Sequence, residues 1–340
     1  MQLQAHFTTL SSWVLLLARA IDSYGEDSAE VFAGVGLDHA KLRDPLARFP
    51  AQGVERLWHV AVEATGDPCF GLTVASYWHP TTLHALGYSW LASENLAEAF
   101  DCAVRYVRLV DTEVQGVLQI EASDEIYKVI VDMSRFDPPS ADSSVDATLA
   151  VLSAMCKSAY GADFRLRRVS FQHETPSCHE RFAETFQSPV FYSQPENALW
   201  IDPLLVHEPL ASANPELVRI NDRIATDYIA KLDRSDLGMR VRSRLIEYLP
   251  RGHFGEAEIA SSLNLSQRSL QRRLSEQGLS FTQLLETTRR DLGLQYVRDP
   301  QHSFNEIAFL LGFTEPANFS RAFKRWYGKT PSQFREESLS

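Results

Sequence analysis

Apolar residues recur every three or four positions over Ser11–Ser23, over Val54–Thr65 through Leu57, Val60 and Ala61, and over Glu94–Val110 through Leu96, Ala99, Phe100, Ala103, Val104 and Val107. This spacing predicts three amphipathic helices. The period then drops to two. Val114–Glu121 and Ile126–Met133 alternate on either side of Ala122-Ser-Asp-Glu125 and predict an antiparallel hairpin. Asp137-Pro-Pro-Ser140 interrupts the pattern, a helix is predicted over Asp142–Tyr160, and short strands over Phe164–Gln172, Val190–Tyr192 and Ala198–Ile201. Helices flanking a mostly antiparallel sheet make an α+β domain. Beyond it, Leu217, Ile220, Ile224, Tyr228 and Leu232 line one helical stripe, which suits either a dimer contact or packing within the same domain.

The last third of the chain carries an internal repeat. Glu258-Ile-Ala recurs as Glu306-Ile-Ala at an offset of 48, whereas Leu270/Phe319, Arg272/Arg321 and Leu274/Phe323 recur at 49, so the second copy has one extra residue in its turn. Each copy reads as a short helix, a turn and a second helix. In the first, Ile259, Ala260 and Leu263 form the stripe, Asn264-Leu265 the turn, and Ser266 caps a helix bearing Leu270 and Leu274. In the second, Ser303-Phe-Asn-Glu306 is a capping box, Gly312 supplies the turn, and Thr314 is placed to cap a helix carrying Phe319 and Phe323, with Pro316 tolerated in its first turn. A third capping box, Ser280-Phe-Thr-Gln283, opens a helix reaching Arg298 before Pro300. Its about 18 residues span on the order of 27 Å. Such a strut suits two recognition helices about one DNA turn apart, roughly 34 Å.

These are the features of an all-α, tandem helix-turn-helix domain. With Leu270/Leu274 and Phe319/Phe323 turned inward, the outward faces carry Arg268, Gln271 and Arg272 in the first copy and Asn318, Arg321, Lys324 and Arg325 in the second. Arginine reads guanine O6/N7, and Gln or Asn reads adenine N6/N7, in the major groove. Ser266, Ser320, Lys324 and Lys329 suit phosphate oxygens. The other reading of each arginine is a solvated surface charge.

Charge sharpens this picture once it is divided. The 340 residues hold 33 Lys+Arg against 44 Asp+Glu, a net −11 that argues against a nucleic-acid partner. Residues 238–340, beyond the polar run Asp233-Arg-Ser-Asp236, carry 15 Lys+Arg against 11 Asp+Glu, net +4, and residues 1–237 carry 18 against 33, net −15. The basic residues cluster as Arg268/Arg272/Arg273, Arg289/Arg290 and Arg321/Lys324/Arg325/Lys329. A basic module on an acidic body is an electrostatic footprint of DNA binding. The longest early apolar run, Trp13–Ala18, is too short to span a bilayer and has no basic flank before it, and Cys69, Cys102, Cys156 and Cys178 are widely spaced. The expected compartment is therefore reducing cytoplasm, with no membrane and no disulfide framework.

Ile307-Ala-x-x-x-Gly312-Phe313, Asn318-Phe319-Ser320-Arg321-x-Phe323-Lys324, Gly328-x-Thr330-Pro331-Ser332-x-Phe334-Arg335 and Ser266-x-Arg268-Ser269-Leu270-Gln271-Arg272-Arg273-Leu274 together resemble the AraC/XylS family of bacterial transcription regulators, over about residues 238–336. That resemblance implies two recognition helices in successive major grooves. The positions matching the family's base contacts are Arg268, Gln271, Arg272, Pro316, Ala317, Asn318 and Arg321. Pro316 and Ala317 lack side-chain hydrogen-bonding groups, so the first helix is expected to dominate specificity. The N-terminal part, through Gly36-Leu-Asp, Arg48-Phe-Pro50, Leu57-Trp58, Gly66-Asp67-Pro-Cys-Phe-Gly71-Leu72, Gly87-Tyr88, Phe171-Gln-His173 and Asn197-Ala-Leu, resembles the arabinose-binding-type sensor domain of the family's ornithine-utilisation-regulator branch. This implies a small-molecule sensor and a dimerisation surface, without making arabinose the ligand.

The expected organisation is a ligand-sensing and dimerisation domain over 1–212, a connecting helix and linker over 213–237, and a DNA-binding domain over 238–340 with helix-turn-helix units at 255–278 and 303–328. Trp78, His79, Tyr88 and Trp90 gather aromatic area with polar tips as a ligand pocket does, and Arg105, with Arg108, offers charge for an anion; core packing and exposed helix faces are the competing readings. No cofactor or metal is expected. His173-Glu174 and Cys178-His179 are separated by Pro176 and lack the two-His helical spacing of a zinc protease, Gly34-Val-Gly36 lacks the third glycine of a dinucleotide loop, and nucleophile-elbow and phosphate-loop motifs are absent. The function expected is a sequence-specific activator controlled by a small effector, with promoter DNA and RNA polymerase as partners and a homodimer as its assembly. The alternative is a DNA-binding regulator whose N-terminal domain contacts another protein and no small ligand.

Overall fold

The computed structural model describes residues 7–112, 117–133, 140–235, 237–252, 254–276, 279–298 and 302–339. The chain divides into two compact units, Phe7–Ile229 and Ala230–Ser340.

The first unit runs β1 (Thr8–Leu10), α1 (Ser11–Ser23), α2 (Ser28–Gly34), β2 (Arg48–Pro50), α3 (Ala51–Thr65), α4 (Phe70–Ser76), α5 (Ala85–Ala92), α6 (Leu96–Tyr106), β3 (Leu118–Ala122), β4 (Tyr127–Val131), α7 (Asp142–Tyr160), β5 (Arg168–Ser170), α8 (His179–Phe186), β6 (Val190–Phe191), β7 (Ala198–Ile201), α9 (Pro203–Val206) and the first part of α10 (Pro215–Ser235). Its larger sheet has the order β3-β4-β7-β5-β6, antiparallel except for the β5–β6 pair. It is the α+β domain the sequence predicts. The hairpin pairs Ala122 with Tyr127, as expected from its turn; Val114–Gly116 and the Asp137–Pro139 break lie outside the described residues.

Strand alternation puts Leu118, Tyr127, Val129, Val131, Val169, Leu199 and Ile201 into one core with Trp90, Phe100 and α7, while Val14, Leu17, Ile21, Phe32, Phe49, Leu57 and Trp58 close a second core around α1 to α3. Two glycines let backbones meet. A Cβ on Gly71 would lie 2.0 Å from the Ser143 carbonyl oxygen, and one on Gly87 would lie 1.9 Å from that of Pro80.

Several expectations change here. The Glu94–Val110 helix starts at Leu96, because the Asn95 side chain caps it by accepting from the Glu98 amide at 2.9 Å, and its last residues tighten into a 3-10 turn, Val107–Leu109. The Phe164–Gln172 strand contracts to Arg168–Ser170, the stretch paired with β7, of which Val169 and Ser170 also pair with β6. Helices α2, α4, α5 and α8 fall outside the predicted elements, although α8 sets Phe182 and Phe186 on one buried face. They are seven or eight residues long, and α5 buries Ala85, Leu86, Gly87, Ser89, Trp90 and Ala92 around most of its circumference. Cys69 and Cys178, separated by 109 residues, are joined by a disulfide with Cα atoms 6.3 Å apart. Cysteine spacing gave no sign of this bond, because the fold alone brings α4 and α8 together. Among the described residues no helix is long and apolar enough to cross a membrane.

The second unit is all helical: α11 (Leu237–Tyr248), α12 (Glu256–Ser262), α13 (Gln267–Glu276), α14 (Phe281–Arg298), α15 (Phe304–Leu310), α16 (Pro316–Tyr327) and α17 (Pro331–Leu339). It has two small cores. Ile259, Leu270, Leu274 and Leu284 belong to one, Ile307, Leu311, Phe319, Phe323 and Val297 to the other, and α14 contributes to each from opposite ends.

Candidate nucleic-acid interface

The two repeats close their turns with the same bond. Asn264 and Gly312 both adopt positive φ, 58° and 67°, and the next amides, of Leu265 and Phe313, donate to the carbonyls of Ala260 and Ala308, each at 2.9 Å. Asparagine and glycine are the residues that tolerate this left-handed position. The copies diverge one residue later. Ser266 directly follows Leu265 and caps α13, accepting from the Ser269 amide at 3.2 Å. In the second copy Thr314 is the inserted residue, and Glu315 takes the cap position with no side-chain bond. The expectation that Thr314 caps this helix is therefore corrected: Pro316, which needs no amide partner at the first helical position, fixes the helix start one residue further on. The Ser303/Glu306 capping box forms as expected, with bonds of 2.8 and 3.2 Å.

Arg268, Gln271 and Arg272 are exposed on α13 while Leu270 and Leu274 are fully buried. On α16, Pro316, Ala317, Arg321 and Lys324 are exposed, Asn318 and Ser320 are half-buried, and Phe319 and Phe323 are fully buried. Each helix thus turns a polar face outward against its own core. Gln271 and Gln267 both donate to the Glu256 carboxylate, at 2.8 and 2.9 Å, which fixes the amide orientation of Gln271. Arg321 donates to Asn318 Oδ1 at 2.6 Å. Trp326 and Arg325 both donate to the Glu286 carboxylate on α14, at 3.2 and 2.7 Å, and these bonds hold its pKa below the usual carboxylate range.

One basic group is reassigned. Arg289, counted above with the basic clusters, turns inward. Its Nε donates to the Leu311 carbonyl at 2.8 Å and its Nη2 to that of Gly312 at 2.7 Å, with the guanidinium 4.8 Å from the Phe254 ring centre and 4.4 Å from that of Phe313. It joins the segment entering the first helix-turn-helix to the turn of the second.

The residues expected to line a ligand pocket occupy different settings in the fold. Trp90 is in the core, edge-on to Phe100 and donating to the Met155 carbonyl at 2.9 Å, whereas Tyr88, two positions away on α5, is 48% exposed. Two residues apart on a helix point to different faces. His79 caps the Pro80–Leu83 turn, Trp78 is half-buried with its Nε1 unpartnered among the described residues, and Arg105 lies 3.5 Å from Asp222 on α10. His173 and Cys178 are engaged separately, the first with Asp146 and the second with Cys69.

A polar cluster missed by the sequence reading lies behind α8. His173 Nε2 is 3.0 Å from the buried Asp146 carboxylate inside a ring of Phe171, Phe182 and Tyr192, and the Tyr192 hydroxyl and Ser143 Oγ are buried without hydrogen-bond partners among the described residues. Its one sequence signal is an acidic residue on the inward face of the Asp142–Tyr160 helix. Burial pushes the Asp146 carboxyl up to about 6 against the pull of His173. Burial lowers His173 in turn, but the bond and charge of Asp146 outweigh it and leave the imidazole raised. Both groups hold protons to higher pH in the native state than in the unfolded chain. Their contribution is full below the carboxyl's ordinary 3.8 and is lost as pH rises through 6 and past the imidazole's native value. Asp146→Asn removes the titrating carboxyl and keeps an acceptor. It should gain stability relative to the wild type by about 1–3 kcal/mol between roughly pH 4 and pH 8. A melting-temperature difference that does not vary with pH would show that the native carboxyl does not titrate there.

Residues 25–210 match the family model of the arabinose-binding domain of AraC transcription regulators, and residues 259–337 match that of a helix-turn-helix domain. The chain is 30% identical over 319 residues to the ornithine utilization regulator of Pseudomonas aeruginosa, covering 93% of each. It is 35% identical over 96 residues to the urease operon transcriptional activator of Escherichia coli, 28% of this chain and 32% of that one. The crystal structure of the transcriptional regulator CdpR from Pseudomonas aeruginosa aligns over 94% of this chain and 98% of that one, at 18% identity and a TM-score of 0.45.

Proposed function

Since the chain belongs to the AraC family of transcription regulators, in the group with an arabinose-binding-type N-terminal domain, we propose that it activates transcription from specific promoters under the control of a small effector. The observation that carries the reading is the duplicated turn: two helices, each backed by its own core, present polar faces from one compact unit. Arg268, Gln271, Arg272, Asn318 and Arg321 read base edges, with Pro316 and Ala317 lying against the groove, and Ser266, Ser320 and Lys324 meet the sugar-phosphate backbone. A relative named as a transcriptional activator, 35% identical over 96 residues, supports activation over repression.

Titration of the protein against the DNA upstream of adjacent genes is expected to give a sequence-selective complex that weakens steeply with salt. Equal affinity for random DNA would overturn the reading. Arg272→Ala should weaken the specific complex by about 1–3 kcal/mol and relax one base position. An equal loss on specific and random DNA would assign Arg272 to phosphate.

Effector binding is assigned to the domain over 1–212, and 213–237 connects it to the DNA-binding domain over 238–340. A thermal-shift screen of metabolites tests this: a compound that raises the melting temperature supports the sensor, and silence across a broad library favours a protein-contact role. Leu217, Ile220 and Ile224 on α10 are 43–49% exposed, whereas Tyr228 packs against the core. We assign that exposed stripe to a homodimer contact, which sedimentation returning only monomer at micromolar concentration would remove.

A further inference from the structure

We propose that Cys69 and Cys178 form a thiol pair that organic or hydrogen peroxides oxidise and small thiols reduce, a modification site that fastens α8 to α4 in the oxidised protein. This goes beyond regulation by a metabolite and rests on the proposed function only in placing the protein inside the cell, where standing disulfides are rare and those that form are commonly redox-responsive.

Position and burial divide the labour between the two sulfurs. Cys69 is fully buried, and its amide donates to Asp67 Oδ1 at 2.8 Å. Cys178 is half-exposed at the cap of α8, and Arg181, one turn further on, reaches back to Asp67 at 2.7 Å and to the Thr73 hydroxyl at 2.8 Å. The Asp67 carboxylate lies within 4.8 Å of both sulfurs and is itself paired with Arg181, so accessibility assigns the roles: the half-exposed Cys178 meets the oxidant and the buried Cys69 resolves it. The other two cysteines do not compete: both are buried, and burial pushes the Cys102 thiol up to about 12 and raises that of Cys156.

The chemistry balances with a hydroperoxide as oxidant. The Cys178 thiolate attacks the distal peroxide oxygen, the O–O bond breaks, and the alcohol or water leaves with a proton, giving a sulfenic acid. Cys69 then loses its proton and attacks the Cys178 sulfur; the S–O bond breaks and hydroxide leaves as water, so the two sulfurs together have lost two electrons to the peroxide. Two glutathione thiols reverse the bond and end as glutathione disulfide.

Closure has a consequence for the buried cluster. α8 carries Phe182 and Phe186 into the core, and Phe182 borders His173. In the oxidised protein a covalent bond holds that helix against α4. In the reduced protein the Arg181–Asp67 pair and the aromatic packing hold it.

The test uses the full chain, purified reduced, treated with a few equivalents of hydrogen peroxide and alkylated after denaturation. The thiol count should fall from four to two, with a Cys69–Cys178 cross-linked peptide lighter by two hydrogens. The melting temperature should rise by roughly 5–10 °C, because the bond closes a long loop. Reduced glutathione should restore all four thiols. In Cys69→Ser, a dimedone adduct should trap the sulfenic acid on Cys178. Four thiols surviving peroxide, oxidation at Cys102 or Cys156 instead, or a cross-link that glutathione does not open would each overturn the proposal. DNA affinity is measured separately, so failure of the regulator reading leaves the thiol count untouched.

Discussion

Arg289→Ala is expected to lower the stability of the C-terminal unit by about 2–4 kcal/mol and to weaken DNA binding through a residue that does not face the DNA. The guanidinium meets two carbonyls at the turn of the second helix-turn-helix and stacks between Phe254 and Phe313. A hydrogen bond to a charged group contributes about 1.5–3 kcal/mol, and each aromatic face about 0.5–1. Two such bonds and two faces total about 4–8 kcal/mol, and about half of that, 2–4, is expected because the side chain is only half-buried. Burial also pulls the Arg289 basicity below its usual value, so the carbonyls and rings are offsetting a real desolvation cost. The melting temperature of this unit should fall by roughly 10–20 °C. Arg289→Lys should recover little, since an ammonium cannot span both carbonyls while lying flat between two rings. A variant with unchanged melting temperature and lost DNA affinity would instead make Arg289 a DNA contact.

Arg289 also shows where the sequence stops being readable. Composition counts its charge but not its direction, and the basic cluster containing it is partly structural. The repeat itself was legible, because it combines two independent patterns: inward residues at 259/307, 270/319 and 274/323, and a left-handed turn residue at 264/312. The extra residue of the second copy was legible as a count, yet its location was not, since Thr314 has the chemistry of a cap and lost the position to the backbone demand of Pro316.

In the N-terminal unit the long elements α1, α7 and the β3–β4 hairpin followed from period alone. What did not follow are features made by distant residues meeting: the Cys69–Cys178 bond, the Asp146–His173 pair and the buried α5, which has no polar face to give it a period. Several motifs that carried the family resemblance prove to be scaffolding. Arg48 donates to Thr8 Oγ1, the Thr8 carbonyl and the Leu109 carbonyl at 2.7–2.8 Å, and Gly71 and Gly87 are points of close backbone approach. Such residues identify the domain without revealing what it binds. Of the aromatics read as a pocket, Trp90 lies in the core and Tyr88 at the surface.

Phe319→Ala should have the largest effect, about 3–5 kcal/mol, and its distribution matters more than its size. Phe319 is fully buried between Phe313 and Phe323, with ring centres 6.0 and 5.7 Å away, in a core whose other fully buried members are Val297, Ile307, Ala308 and Leu311. So small a core has little material with which to fill the space a phenyl ring vacates. The first helix-turn-helix is backed by different residues, Ile259, Leu270, Leu274 and Leu284, and meets the second through α14 and through Phe254, which lies against Arg289 and the Gly312 turn. Loss of the ring should therefore release the amides of α15 and α16 to hydrogen exchange while those of α12 and α13 keep most of their protection. On DNA the variant should protect one major-groove segment of the binding site and lose the other, with affinity falling toward that of a single helix-turn-helix. Uniform loss of protection across both repeats would mean that α14 transmits the damage and the two cores unfold as one. In that case the strut is the cooperative element of the unit, and one-groove binding by this chain could not be observed.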